Sequence, residues 1–164
     1  MAEQKTNAMR ALEKAGIPYR AYAYDHGDGA IDGVSVARKL GQNPDAVYKT
    51  LVTRGAGGGV YVFAIPVARE LDLKKAARAV GEKSIQMVHV DEINRLTGYI
   101  RGGCSPVGMK KLYPTTFDAR VLELPAVIVS GGRIGAQVEA APRELLALVR
   151  GRTADLTAGP SPTD

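Results

Sequence analysis

The sequence predicts one mixed α/β domain, a curved sheet of mixed strand direction with helices packed outside it. Three observations lead there. The chain's 164 residues are enough for a single domain with a real core, and 45% hydrophobic with 24% charged residues is an ordinary globular composition. Segments with helical and with strand periodicity interleave, but not in strict βαβ alternation. No internal repeat is present, which argues against solenoids and propellers.

The first helix is expected over about Thr6–Ala15, where Ala8, Ala11, Leu12 and Ala15 fall on one face and Gly16 with Pro18 supplies the stop. Tyr19–Tyr24 alternates as a strand with Tyr22 and Tyr24 on one face, and Asp25-His26-Gly27-Asp28-Gly29 is a loop by composition. Val34–Leu40 reads as a short helix closed by Gly41, and Asn43-Pro44 turns the chain into the next strand. Arg54–Gly59 is a hairpin tip: it lacks the Gly-Lys-Ser/Thr ending of a phosphate cradle and leads into the strand Val60–Ile65.

Asp72 caps a helix whose inward stripe is Leu73, Ala76, Ala77 and Val80, ending at Gly81, with Lys74, Lys75 and Arg78 outward. That basic face is a solvated surface or an RNA contact. Ser84–Val90 is expected as a strand, and Asp91 as the cap of a helix ending at Gly98. Gly98–Gly108 is too rich in glycine for a helix or a central strand, and its exposed amides suit close approach of a ligand. Ala126–Ser130 is an apolar strand. The Gly-Gly-x-x-Gly that follows leads into the period-2 stretch Ile134–Ala140, not the helix a dinucleotide turn must open. Pro142 begins a last helix with Leu145, Leu146 and Val149 inward, and the polar tail from Gly151 is expected to be disordered.

The stretch that carries chemistry is Ala46–Thr53. Val47, Lys49, Leu51 and Thr53 share one face of the strand and Tyr48, Thr50 and Val52 the other, so both faces are largely apolar. A lysine there needs a reason, because lysine is seldom buried without a partner. Two readings fit the pattern: Lys49 faces a functional cleft, or it snorkels into water from an edge strand.

Composition bounds the function classes. The apolar run Val60–Ala68 is far short of a membrane span and holds Pro66, and residues 1–5 lack a signal-peptide core, so no membrane partner is expected. A single cysteine gives no disulfide framework, which makes a reducing cytoplasm the default. Isolated His26 and His89 offer no metal cluster, and no cofactor is expected. The net charge of +5, from 22 basic and 17 acidic residues, favours a polyanion such as nucleic acid.

Several stretches, taken in order, resemble the YbaK/EbsC family, also called the prolyl-tRNA-synthetase-associated editing domain. They are Lys5-Thr6-Asn7-Ala8, Tyr24 with His26, Val47–Val52, Pro66-Val67, Leu71–Lys75, Thr97-Gly98-Tyr99, Gly102–Gly108 and Ser130-Gly131-Gly132, over roughly residues 5–150. The resemblance implies a barrel-like mixed sheet ringed by helices. It also implies removal of cysteine wrongly attached to proline tRNA, with the aminoacyl-tRNA acceptor end as partner and prolyl-tRNA synthetase as a second.

Lys49 matches the family's essential lysine, Tyr24 its pocket tyrosine, Gly102 a glycine of the substrate loop and Ser130 the serine of the Ser-Gly-Gly turn. Gly103, Ser105 and Pro106 fall in the same loop and are expected to bind substrate with it. Gln137 stands where close relatives have an aspartate, and Ile134 where they have a basic residue, which leaves amino-acid selectivity open. In the family picture the cysteinyl thiol attacks its own ester, which suits a chain without a Ser-His-Asp order. Cys104 is expected to pack rather than react, and His26 to sit in a turn. Removal of alanine from proline tRNA by water, or non-catalytic RNA binding, are the competing expectations.

Overall fold

The computed structural model describes residues 5–29 and 31–159. In chain order the elements are α1 (Asn7–Lys14), β1 (Arg20–Ala23), α2 (Gly33–Leu40), β2 (Tyr48–Gly55), β3 (Val60–Pro66), α3 (Leu73–Val80) and β4 (Ile85–Met87). They continue with α4 (Val90–Thr97), β5 (Thr115–Asp118), β6 (Val127–Ser130), β7 (Ala136–Ala140), α5 (Pro142–Val149) and β8 (Arg152–Ala154).

Local chemistry sets the helix ends. Thr6 Oγ1 accepts the Met9 N–H at 3.1 Å, Asp32 that of Ser35 at 3.1 Å, and Asp72 those of Lys74 and Lys75 at 2.9 and 3.1 Å. Gly41, Gly81 and Gly98 close their helices in the left-handed conformation. The cap of α4 is His89, not Asp91, because Glu92 reaches back to accept the His89 N–H at 3.2 Å. The preceding strand is correspondingly shorter than expected.

The mixed α/β class holds, and the sheet comes in two parts. One has the order β1-β7-β6, all antiparallel; the other is β4-β2-β3-β5-β8, in which β3–β5 and β5–β8 are parallel. A parallel bridge between Val47 and Ile128 links them. The larger core packs Leu12, Leu145 and Val149 against Val127, Val129, Val138, Tyr48 and Phe117. Full burial of Leu12 and of Leu145 stabilises by roughly 2 kcal/mol each. A second cluster sets Ala76 and Ala77 of α3 on Phe63 and Ile65 of β3.

Three expectations change here. Leu73 is 43% exposed, and Leu71 packs against the second cluster in its stead. Lys75 leaves the solvated face, since its Nζ donates to the Thr157 carbonyl at 2.7 Å and pairs with Asp155 at 3.1 Å. The expected disordered tail is, through residue 159, part of the fold: β8 adds to β5 in parallel and Leu156 and Thr157 are fully buried. Residues 160–164 of that tail lie outside the described residues. Its polar composition hid a strand whose partner, β5, lies more than thirty residues earlier.

The Tyr48 ring stacks on Phe117 at 6.2 Å, and its hydroxyl is buried without a protein partner. Burial accordingly pushes its phenol well above the ordinary tyrosine range. Tyr48→Phe should remove that desolvated group and keep the ring. We expect stability to be unchanged or higher by about 1 kcal/mol, read from the urea midpoint at constant m. A clear loss of stability would count against an orphaned hydroxyl.

Candidate active site

The cleft follows from how the two sheets meet. Beyond the Val47–Ile128 bridge no ladder joins β2 to β6 among the described residues, and β4 pairs only with Thr53–Gly55 at the far end of β2. The first half of β2 therefore faces an opening. A cleft of about 390 Å³ lies there, between Lys49, Thr50 and Leu51 of β2, Val129 and Ser130 of β6, and Ala136 and Gln137 of β7. Tyr24, α2 and the loop carrying Arg101, Gly102 and Cys104 complete its walls.

Lys49 thus stands on the half of β2 that only β3 pairs, and it lines the cleft left open on the other side. Among the described residues its ammonium makes no hydrogen bond or ion pair. The neighbouring Thr50 hydroxyl is buried in the lining and also lacks a protein partner. Unmet polar groups cost free energy unless water or a ligand satisfies them, so this corner is built to receive something polar.

Ser130 accepts the Gly132 N–H at 3.2 Å, which shapes the turn and leaves its hydroxyl proton free to donate. Tyr24 is fixed at the rim by its N–H to the Gly135 carbonyl at 3.0 Å. Gln137 is 5% exposed, and its Oε1 accepts from Nε2 of Gln42 at 2.8 Å.

Of the eight residues expected at the site, Lys49, Tyr24, Gly102, Ser130 and Gln137 line the cleft, while Gly103, Ser105 and Pro106 do not. A Cβ on Gly103 would stand 2.8 Å from the backbone of Arg133, so this glycine seats the loop on the Ser-Gly-Gly turn. Ser105 is fully buried and its Oγ accepts the Val107 N–H at 3.2 Å. That turn carries Pro106 inward, to a small separate hollow beside Ala11 and Leu148. The sequence reading missed Thr50, Arg101 and Gln42. Thr50 sits in the lysine motif itself, whereas Gln42 reaches the site only through tertiary contact.

His26 packs over Gly135 and does not line the cleft. Cys104 does line it, and burial pushes its thiol up to about 11. No group of three or more His, Cys, Asp or Glu side chains among the described residues could hold a metal. None of their helices is long and apolar enough to cross a membrane.

Residues 31–148 match the family model described as the aminoacyl-tRNA editing domain. The chain therefore belongs to this family of editing domains, in its YbaK/EbsC branch. It is 44% identical over 155 residues, 94% of either chain, to EbsC of Enterococcus faecalis, which is provisionally named a Cys-tRNA(Pro)/Cys-tRNA(Cys) deacylase. A crystal structure described provisionally as a trans-editing enzyme for prolyl tRNA synthetase is 31% identical. Its TM-score is 0.80, with 96% of this chain and 100% of that one covered. The hypothetical protein APE2540 is 26% identical, with a TM-score of 0.83 over 92% of this chain and 99% of that one.

Proposed function

We propose that the protein is a trans-editing aminoacyl-tRNA deacylase that clears Cys-tRNA(Pro), and Cys-tRNA(Cys) with it, using the substrate's own thiol as nucleophile. The observation that carries this reading is the chemical make-up of the cleft. It presents an unpaired ammonium from Lys49 and the hydroxyl of Ser130, but no histidine and no low-pKa thiol. Such a site suits orienting an ester and stabilising developing charge, with the substrate's own thiol as the nucleophile.

In the proposed reaction the cysteinyl thiolate attacks the adjacent ester carbonyl. A C–S bond forms, the C–O bond to the terminal ribose breaks, and the ribose oxygen takes a proton as tRNA leaves. The other product is a thiolactone, which water opens to cysteine. A thiol with a pKa of about 8.5 is partly ionised at neutral pH, whereas a seryl or alanyl ester lacks any comparable internal nucleophile. Discrimination between amino acids is then largely chemical. Lys49 holds the terminal phosphate or the ester, and Arg101 lines the same cleft. In this reading prolyl-tRNA synthetase acting alongside contributes to the choice of tRNA.

Incubation with Cys-tRNA(Pro), Cys-tRNA(Cys) and Ala-tRNA(Pro), with a gel shift in parallel, tests this. Release of cysteine but not alanine is expected. Release of alanine would favour attack by water, and binding without turnover a non-catalytic RNA module. Cys104→Ala should keep deacylation within about threefold, as its thiol is too weakly acidic to take part. A loss of about a hundredfold would make Cys104 a participant.

A further inference from the structure

The charged residues lining the cleft are Lys49, Arg101 and Asp32. The first two suit the phosphate and the ester. An aminoacyl ester also brings an α-amino group, which is partly cationic near neutral pH, and cations in the cleft repel that form. Gln137 is poorly placed to receive it. Its oxygen already accepts from Gln42, which leaves it one lone pair and no charge to set against an ammonium. The reverse amide orientation would strand a buried Gln42 N–H where the present one leaves an acceptor unmet, and buried orphan donors are the rarer case.

We propose that Asp32 receives the α-ammonium group of the aminoacyl ester, supplying from the start of α2 the negative charge that Gln137 does not carry. The inference rests on the deacylase reading. Asp32 is held for the task. Its carboxylate accepts the Ser35 N–H at 3.1 Å, which fixes the side chain, and the Ser35 hydroxyl together with that N–H holds its pKa below the ordinary range. The residue after it packs tightly, because a Cβ on Gly33 would collide with a methyl of Val67. Asp32 thus stands on a docked helix end, with Val34 and Val36 beyond it on the same cleft wall. The ligand it selects is a free amino-acid ester, not an N-acylated one.

The test compares Cys-tRNA(Pro) with N-acetyl-Cys-tRNA(Pro) for the parent protein, Asp32→Ser and Asp32→Asn. Serine and asparagine both cap helices well, so both variants keep α2 while removing the charge. We expect kcat/KM for the free-amine substrate to fall about fivefold or more, mainly through KM, with the acetylated substrate within twofold of its parent value. Acetylation alters ester reactivity by itself, but that effect cancels when each variant is compared with the parent. Equal losses on both substrates would reduce Asp32 to a structural cap and overturn the inference, as would no loss on either. Failure of the parent protein to release cysteine from either substrate would overturn the deacylase reading, and the inference with it. That result is distinct from an active enzyme in which the charge at Asp32 is immaterial.

Discussion

Lys49→Met is expected to lower kcat/KM for Cys-tRNA(Pro) deacylation by about 10²–10³-fold, the usual effect of deleting one preorganised electrostatic contact to a transition state. The fold should not suffer. Methionine keeps the apolar stem that runs along β2 and discards an ammonium that has no partner among the described residues. The melting temperature should therefore stay the same or rise, the mark of a residue kept for activity at some expense to stability. Lys49→Arg would test geometry, since a planar fork cannot reproduce a compact ammonium in the same space. Measuring single-turnover deacylation beside thermal unfolding separates the two effects. Activity within twofold of the parent would remove Lys49 from the mechanism, and a large fall in melting temperature would make it structural.

The second large effect is expected far from the cleft, at Asp118. Its carboxylate is fully buried and accepts three hydrogen bonds: from Leu156 N–H at 3.1 Å, Arg120 N–H at 3.2 Å and the Arg120 guanidinium at 3.0 Å. The same guanidinium donates to Thr157 Oγ1 at 2.8 Å. Asp118 thus ties the end of β5 to the segment after β8. Asp118→Ala would take one acceptor from a mostly buried guanidinium and leave the buried Leu156 N–H without its own. We expect a loss of about 3 kcal/mol, the low end for a broken buried pair because Arg120 keeps some access to water. For a domain of this size that is roughly a 6–12 °C drop in melting temperature. Hydrogen exchange should show residues 152–158 opening first. A drop below about 2 °C would mean that the segment holds by its apolar contacts alone.

What could be read from the sequence was local. The helix bounds at Asp72 and Gly81 came from a cap and a stop within one turn of the helix they serve, and the observed helix has the same bounds. Lys49 stood out because a lone cation on a two-sided apolar strand conflicts with its surroundings, and such conflicts gather at functional sites. What could not be read was whatever depended on a distant partner. Thr115–Asp118 and Arg152–Ala154 have too little alternation to announce strands, and they exist because parallel pairing with β3 and with each other supplies their hydrogen bonds. In the glycine loop composition spoke truly of close approach but not of direction. Gly102 faces the cleft, while the turn at Ser105 sends Ser105 and Pro106 to the other side.

The sequence by itself determined the class of fold, most of the helix ends and the oddity of a lysine in an apolar strand, because each is written in neighbouring residues. Only the tertiary structure decided that the sheets part beyond Val47, that Gln42 engages Gln137 across 95 positions and that Asp32 comes to the cleft wall. Those facts depend on long-range packing and hydrogen bonding, which no window of adjacent residues contains.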